Sequence, residues 1–153
     1  MADLSTGSAQ QLFNEKRYNC QKQNKMNVIL ASTSTLFGGN YLEYLKDELI
    51  TLFAGIDEII FIPFARPGGI SHEEYTVKAR DFFSQLNICI KGLHEFNDPI
   101  TAIHAAKGFF TGGGNTFLLI KTLHELGLMK HLSENINWAN PIWAVAPEAI
   151  SVA

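Results

Sequence analysis

The segment that decides the fold reads Gly-Phe-Phe-Thr-Gly-Gly-Gly-Asn-Thr-Phe and spans residues 108–117. Its first four residues, Gly108–Thr111, have the pattern of a short buried strand, and the three glycines after them let the backbone turn tightly. Asn115 is a favourable N-cap, and a helical pattern follows it to Leu126. The segment therefore predicts a strand, a sharp loop and a helix, which is the repeating unit of an α/β fold.

The same alternation of strand and helix patterns runs along the chain from Met26. The other predicted strands are Val28–Ala31, Glu58–Ala65, Ile88–Leu93 and Pro141–Val145, and the other predicted helices are Tyr41–Leu52, Ser71–Leu86, Asp98–Ala106 and Met129–Trp138. This alternation indicates an α/β sandwich with a mostly parallel sheet and helices on both faces. The loops Ser32–Thr35, Arg66–Ser71 and Gly112–Thr116 should then open at the carboxyl edge of the sheet, where open α/β folds bind ligands.

Local signals mark the ends of several of these helices. Ser71 with Glu74 three residues later is a capping box, because each side chain can bond the backbone amide of the other residue. Asp98 can cap the next helix, with Pro99 in its first turn, and Gly55 can end the helix that precedes the second strand.

Composition excludes several classes of protein. The 153 residues are 46% hydrophobic and 18% charged, with a net charge of −3 and no basic cluster, which argues against nucleic-acid binding. No apolar stretch is long enough to span a membrane, and the first 25 residues lack the apolar segment of a signal peptide. We predict a polar, flexible extension at residues 1–25, with a targeting arm as the alternative, and one cytoplasmic domain at residues 26–153.

The cysteines and histidines do not form a recognisable metal motif. Cys20 and Cys89 alone cannot make a disulfide framework or a zinc site, and the apolar run around Cys89 predicts a buried thiol. His124 and His131 could share one side of adjacent helical patterns, but no third ligand accompanies them. The sequence therefore predicts no metal site and no cofactor.

The glycine loop is the strongest candidate for a functional element. A helix N-terminus after such a loop offers free N–H groups and a positive dipole end, which suit an anion or a developing oxyanion. The alternative is a purely structural turn in which Asn115 caps the helix. The loop lacks the Gly-Lys-Ser/Thr of a phosphate-binding loop.

Five segments together resemble the ordered landmarks of the α-aspartyl dipeptidase (peptidase E) family, from Met26 to about Pro141. They are Val28–Leu36 (VILASTSTL), Phe61–Ala65 (FIPFA), Glu74–Thr76, Asp98–Pro99 with Ala102–Ile103, and Gly112–Phe117 (GGGNTF). The resemblance implies a flavodoxin-like three-layer sandwich related to class I glutamine amidotransferases. It also implies hydrolysis of dipeptides with an N-terminal aspartate (Asp-Xaa), with a serine nucleophile in a Gly-x-Ser-x-Gly elbow. The oxyanion or substrate loop would be Gly112, Gly113, Gly114 and Asn115.

The resemblance breaks after Pro141, where the nucleophile elbow is expected. The position of the nucleophile falls near Val145 and Ala146, and neither residue has a nucleophilic side chain. Ser151 stands between Ile150 and Val152 without the flanking glycines of an elbow. We therefore expect a partial domain whose sheet is incomplete at the C-terminus, without a recognisable catalytic residue and without activity.

The sequence after Pro141 leaves several origins open. One base inserted after the Pro141 codon would let the following codons read Tyr-Met-Gly and then permit a serine elbow, so a frameshift is one interpretation. An alternative splice end and a diverged non-enzymatic paralogue are the others.

Two other functions stay open beside the inactive dipeptidase. The chain could be a non-catalytic α/β protein that holds an anion or an acidic peptide at Gly112–Asn115. A glutamine-amidotransferase-like enzyme would need a cysteine at the elbow, where this sequence has none. The sequence does not indicate an oligomeric state.

Overall fold

A computed structural model describes residues 27–66, 70–139 and 142–146. Five strands form one sheet in the order β1-β5-β4-β2-β3, and every pairing is parallel. The strands are β1 (Val28–Leu30), β2 (Glu58–Ile62), β3 (Cys89–Gly92), β4 (Gly108–Gly112) and β5 (Ile142–Ala146). The predicted parallel α/β sheet is confirmed.

Five helices cover the two faces of this sheet. They are α1 (Lys46–Leu52), α2 (His72–Ser84), α3 (Pro99–Ala105), α4 (Thr116–Glu125) and α5 (Met129–Ala139), with short 3₁₀ turns at Glu43–Leu45 and Leu93–Glu95. Among the described residues, none of these helices is both long and apolar enough to cross a membrane.

The direction of each crossover decides which face each helix covers. The chain crosses the sheet one way from β1 through β2 to β3, and it returns from β3 through β4 to β5. Because parallel crossovers are right-handed, the helices of the outward and return paths lie on opposite faces. Helices α1 and α2 accordingly pack with Phe61 and Phe110 in one core cluster, whereas α3, α4 and α5 pack with Ile62 and Phe109 in the other.

The predicted helix caps are confirmed. Ser71 Oγ accepts a hydrogen bond from the Glu74 amide at 3.1 Å, and a Glu74 carboxylate oxygen accepts one from the Ser71 amide at 2.8 Å. Asp98 accepts hydrogen bonds from the amides of Ile100 and Thr101, with Pro99 at the first helical position.

The predicted burial of Cys89 is wrong, because its thiol is exposed. Strand β3 lies at the edge of the described sheet, where it pairs with β2, and its residues alternate between the two faces. Ile90 and Gly92 are buried, whereas Cys89 and Lys91 are exposed. An apolar run in the sequence therefore overstated burial on the open side of an edge strand.

Two helices are shorter than their sequence patterns predicted. Leu42 has a left-handed φ of 55°, so the first pattern divides into a 3₁₀ turn and α1. Asn87, in the turn that follows α2, has a left-handed φ of 59°. The predicted extension at residues 1–25, residues 67–69 of the predicted loop Arg66–Ser71, and Ser151 lie outside the described residues.

Candidate active site at the carboxyl edge of the sheet

The crevice between β2 and β4 has the topology of a ligand site. The loop after β2 leads to α2 on one face, and the loop after β4 leads to α4 on the other. Adjacent parallel strands whose connections leave to opposite faces open a crevice at their carboxyl ends, and ligands bind there in open α/β folds. The predicted placement of the glycine loop at this edge is therefore confirmed.

The glycine loop is locked against the loop after β2 by backbone contacts. The amide of Asn115 donates a hydrogen bond to the carbonyl oxygen of Ala65 at 2.6 Å. Gly114 has a φ of 141°, and a Cβ atom at this position would overlap the same carbonyl group. Because only glycine meets both conditions without strain, Gly114 holds the two sides of the crevice together.

Tyr75 of α2 forms the wall behind the loop. Its hydroxyl donates a hydrogen bond to the carbonyl oxygen of Gly113 at 3.3 Å, and a Cβ on Gly112 would lie 2.6 Å from its ring. The guanidinium carbon of Arg66 lies 4.9 Å from the centroid of the same ring, on the loop after β2. The guanidinium group of Arg66 therefore places a positive charge beside the glycine loop. The sequence patterns did not indicate that Tyr75 and Arg66 lie at this site.

The N-terminus of α4 opens into this crevice region. The side chain of Asn115 accepts hydrogen bonds from the amides of Phe117 and Leu118 at 2.9 and 3.1 Å, which confirms its predicted role as N-cap. In the part of the chain that the structure describes, the loop and cap hydrogen bonds include no acceptor for the amides of Gly114 and Thr116. These two N–H groups and the helix dipole can stabilise an anion.

Strand β5 brings the expected nucleophile position to the glycine loop. Val145 pairs with Leu30 on one side and Thr111 on the other, and Ala146 pairs with Gly112. The two residues near which the nucleophile is expected therefore stand next to the loop that would hold the oxyanion. Neither has a hydroxyl or a thiol.

Other hydroxyl-bearing residues of this edge lie in the loop after β1. The Thr33 hydroxyl donates a hydrogen bond to the carbonyl oxygen of Thr35 and accepts one from the Thr35 amide. The carbonyl oxygen of Thr33 accepts a hydrogen bond from the Tyr44 hydroxyl, and Ser34 is buried. Within residues 27–66, 70–139 and 142–146, no serine, threonine or cysteine side chain is hydrogen-bonded to a histidine ring. A pre-formed nucleophile–base pair is therefore absent from the described part of the chain.

A charged cluster follows α2 and β3 near the same edge. Arg80 bonds Glu95 at 2.8 Å, and Glu73 lies 3.4 Å from His94. Burial and the neighbouring charge of His94 lower the pKa of His72. These groups bond one another, and among the described residues none of them bonds a hydroxyl that could serve as nucleophile.

The histidines pair differently from the sequence expectation. His131 lies 3.0 Å from His104 rather than beside His124, and Glu134 joins this pair. Sequence spacing could not reveal the pair, because β4 and α4 separate the two histidines along the chain.

A separate open cleft lies at the amino edge of the sheet. It is lined by residues before and at the start of β2 and by residues before β4, including Gly55, Glu58, Ala106 and Lys107. It lies at the opposite ends of these strands from the glycine loop, so it does not belong to the candidate active site.

Comparison with known proteins agrees with this architecture. The model of peptidase family S51 matches residues 28–144. A Drosophila melanogaster protein named "Probable alpha-aspartyl dipeptidase" is 36% identical over 110 residues, which are 71% of this chain and 45% of that protein. Peptidase E of Streptomyces coelicolor is 32% identical over 116 residues, which are 76% of this chain and 46% of that protein.

A solved structure shows the same fold. The crystal structure of a peptidase from an acI-B1 actinobacterium has a TM-score of 0.57 and 20% sequence identity. The match covers 77% of this chain and 52% of that structure. The chain thus spans about half the length of the relatives that it matches.

Proposed function

Because the chain belongs to peptidase family S51, we propose that its crevice derives from a serine dipeptidase acting on Asp-Xaa dipeptides. The proposal takes its substrate class from the relatives named α-aspartyl dipeptidase and peptidase E. We further propose that the 153-residue chain retains the substrate-binding part of this site but does not hydrolyse the substrate. We expect it in the cytoplasm, as the composition predicts.

The observation that carries the proposal is the pairing of Ala146 with Gly112. In an acyl-transfer site the nucleophile must stand beside the donors that stabilise the oxyanion. The pairing of Val145 with Thr111 and of Ala146 with Gly112 supports our assignment of the nucleophile position to these residues of β5, beside the glycine loop. Since aliphatic side chains cannot attack a carbonyl group, the geometry supports binding and opposes hydrolysis by this chain.

Hydrolysis of Asp-Leu tests this proposal directly. We expect no release of leucine by the purified 153-residue chain, with peptidase E of Streptomyces coelicolor as the active control. Loss of the nucleophile alone removes about a millionfold of acceleration in a well-studied serine protease. Leucine release that persists through purification and disappears in the Ser151→Ala variant would contradict the proposal, since Ser151 would then be the nucleophile.

A second function, retention of an acidic peptide, is supported by Arg66 and the amides of the glycine loop. An aspartyl side chain could take charge-assisted hydrogen bonds in such a crevice. We expect Arg66→Gln to weaken binding of Asp-Leu about tenfold in a calorimetric titration, which corresponds to the loss of about one such bond. The control is Lys91→Gln, because Lys91 is a cation that stacks on Phe96 away from the crevice. Equal affinities in the two variants would remove Arg66 from the site.

A further inference from the structure

The packing of α3 against α5 brings together three side chains that can bind a metal. They are His104 on α3 and His131 and Glu134 on α5. The His104 Nε2 atom lies 3.0 Å from His131 Nδ1 and 3.9 Å from Glu134 Oε2, and the latter two atoms are 3.6 Å apart. We propose that these residues form a zinc site that links the two helices.

The size of the triangle fits a first-row metal. The circle through the three donor atoms has a radius of about 2.1 Å, so one ion can lie at that distance from all three. Zinc bonds to histidine nitrogen and to carboxylate oxygen measure about 2.0 to 2.2 Å. Two imidazole nitrogens and one carboxylate oxygen are a usual zinc donor set, and a fourth position stays open for water.

The site is held in place by a buried contact. The Asn135 side chain, next to Glu134 in sequence, donates hydrogen bonds to the carbonyl oxygens of Ile103 and Ala106 at 2.7 and 3.4 Å. Because these carbonyls flank His104 in the chain, the bonds fix α3 relative to α5. Zinc binding therefore needs only small movements of side chains that are already in place.

The ligands are accessible, and competition for them is weak. The side chains of His104, His131 and Glu134 are 45%, 26% and 40% exposed. Lys130 lies 3.7 Å from the other carboxylate oxygen of Glu134, but its side chain is 80% exposed, and such surface pairs contribute little. The Oε2 atom of Glu134 is therefore available for a metal.

A second group of histidine and glutamate side chains already makes an ion pair and a backbone hydrogen bond. Glu73, His94 and Glu95 also lie close together, but Glu95 pairs with Arg80 and accepts the amide of Gly92. A zinc ion there would have to displace a guanidinium group. We therefore assign the zinc site to the group on α3 and α5.

Titration of the full chain with zinc chloride tests the proposal. The background carries Cys20→Ser and Cys89→Ser, because thiolates also bind zinc. We expect one zinc ion per chain, and an affinity at least about tenfold lower in His104→Ala and in His131→Ala, since even loss of a supporting hydrogen bond costs 10- to 100-fold at zinc sites. His124→Ala is the matched control, because His124 is exposed on α4 and should bind zinc as the background does.

Circular dichroism of each variant establishes that it is folded, and cobalt substitution gives a second measurement. We expect the visible bands of a four-coordinate cobalt site in the background and in His124→Ala, and their loss in His131→Ala. Absence of zinc binding, or equal affinity in His104→Ala and His124→Ala, would overturn the proposal. Zinc binding lost only in His94→Ala would overturn it too, because the site would be the group around Glu73.

Discussion

Gly114 is the residue on which the shape of the crevice depends most. It combines a φ of 141°, which side-chain-bearing residues rarely adopt, with direct packing on the Ala65 carbonyl group. The triple glycine in the sequence predicts a tight turn there, and the structure confirms it. The sequence could not show which glycine is indispensable, because the answer depends on Ala65, a residue from another loop.

The substitution Gly114→Ala should lower the free energy of unfolding by more than about 3 kcal/mol, because backbone strain and a backbone clash add together. Gly55→Ala is the control, since Gly55 has a φ of 80° but open space around it. It should cost only about 1 to 2 kcal/mol, the cost of left-handed strain alone. Urea denaturation of the two variants gives the comparison, and equal costs would show that Ala65 does not constrain the loop.

At the scale of elements, the sequence predicts contacts between neighbouring residues but not contacts between residues that are far apart in the chain. The caps at Ser71, Asp98 and Asn115 act within three residues, so the sequence predicts them correctly. The His104–His131 pair and the wall formed by Tyr75 depend on which helices pack together. That packing is decided by the sheet order, which a periodic pattern of apolar residues does not contain.

The ion pair between Arg80 and Glu95 joins α2 to the end of β3 and makes stability depend on pH. Burial raises the pKa of Glu95, but hydrogen bonds from Arg80 and from the Gly92 amide, with the charge of Arg80, lower it more, so that the net pKa lies below that of an ordinary glutamate. A carboxylate with a lowered pKa adds stability that is present above its ordinary pKa and is lost as the pH falls through the folded-state value.

We therefore expect Glu95→Gln to be less stable than the parent protein at pH 6, and this difference to shrink towards pH 3. Urea midpoints at the two pH values measure it. The control is Glu48→Gln, which removes an exposed glutamate of α1 that is outside this network. A gap between Glu95→Gln and the parent that stays constant from pH 6 to pH 3 would show that protonation of Glu95 is not linked to folding.

At the scale of the whole molecule, β1 is one of the two edge strands of the described sheet. Among the described residues it pairs only with β5, and its Leu30 side chain is 74% exposed, while Val28 and Phe37 of the same region are exposed as well. The sequence patterns do not reveal that this exposed apolar surface lies beside β1. The position of β1 next to β5 follows from pairings such as Ile29 with Ala144, which lie far apart in the chain.

An exposed apolar edge strand predicts self-association of the chain in solution. We expect Leu30→Lys to shift the protein towards the monomer in size-exclusion chromatography with light scattering, because a charge on the edge opposes pairing. Val77→Lys, which changes an exposed aliphatic residue on α2, is the matched control and should leave the distribution unchanged. An equal shift in both variants would point to net charge rather than to β1.

The central claim is that the crevice between β2 and β4 binds an acidic dipeptide that this chain does not cleave. Titration of Asp-Leu into the ¹⁵N-labelled chain, followed by amide and peptide resonances in one NMR sample, tests both parts together. We predict that the amides of Gly114 and Thr116 shift first and that the peptide stays intact. Cleavage of the peptide, or shifts confined to residues away from the glycine loop, would contradict the account.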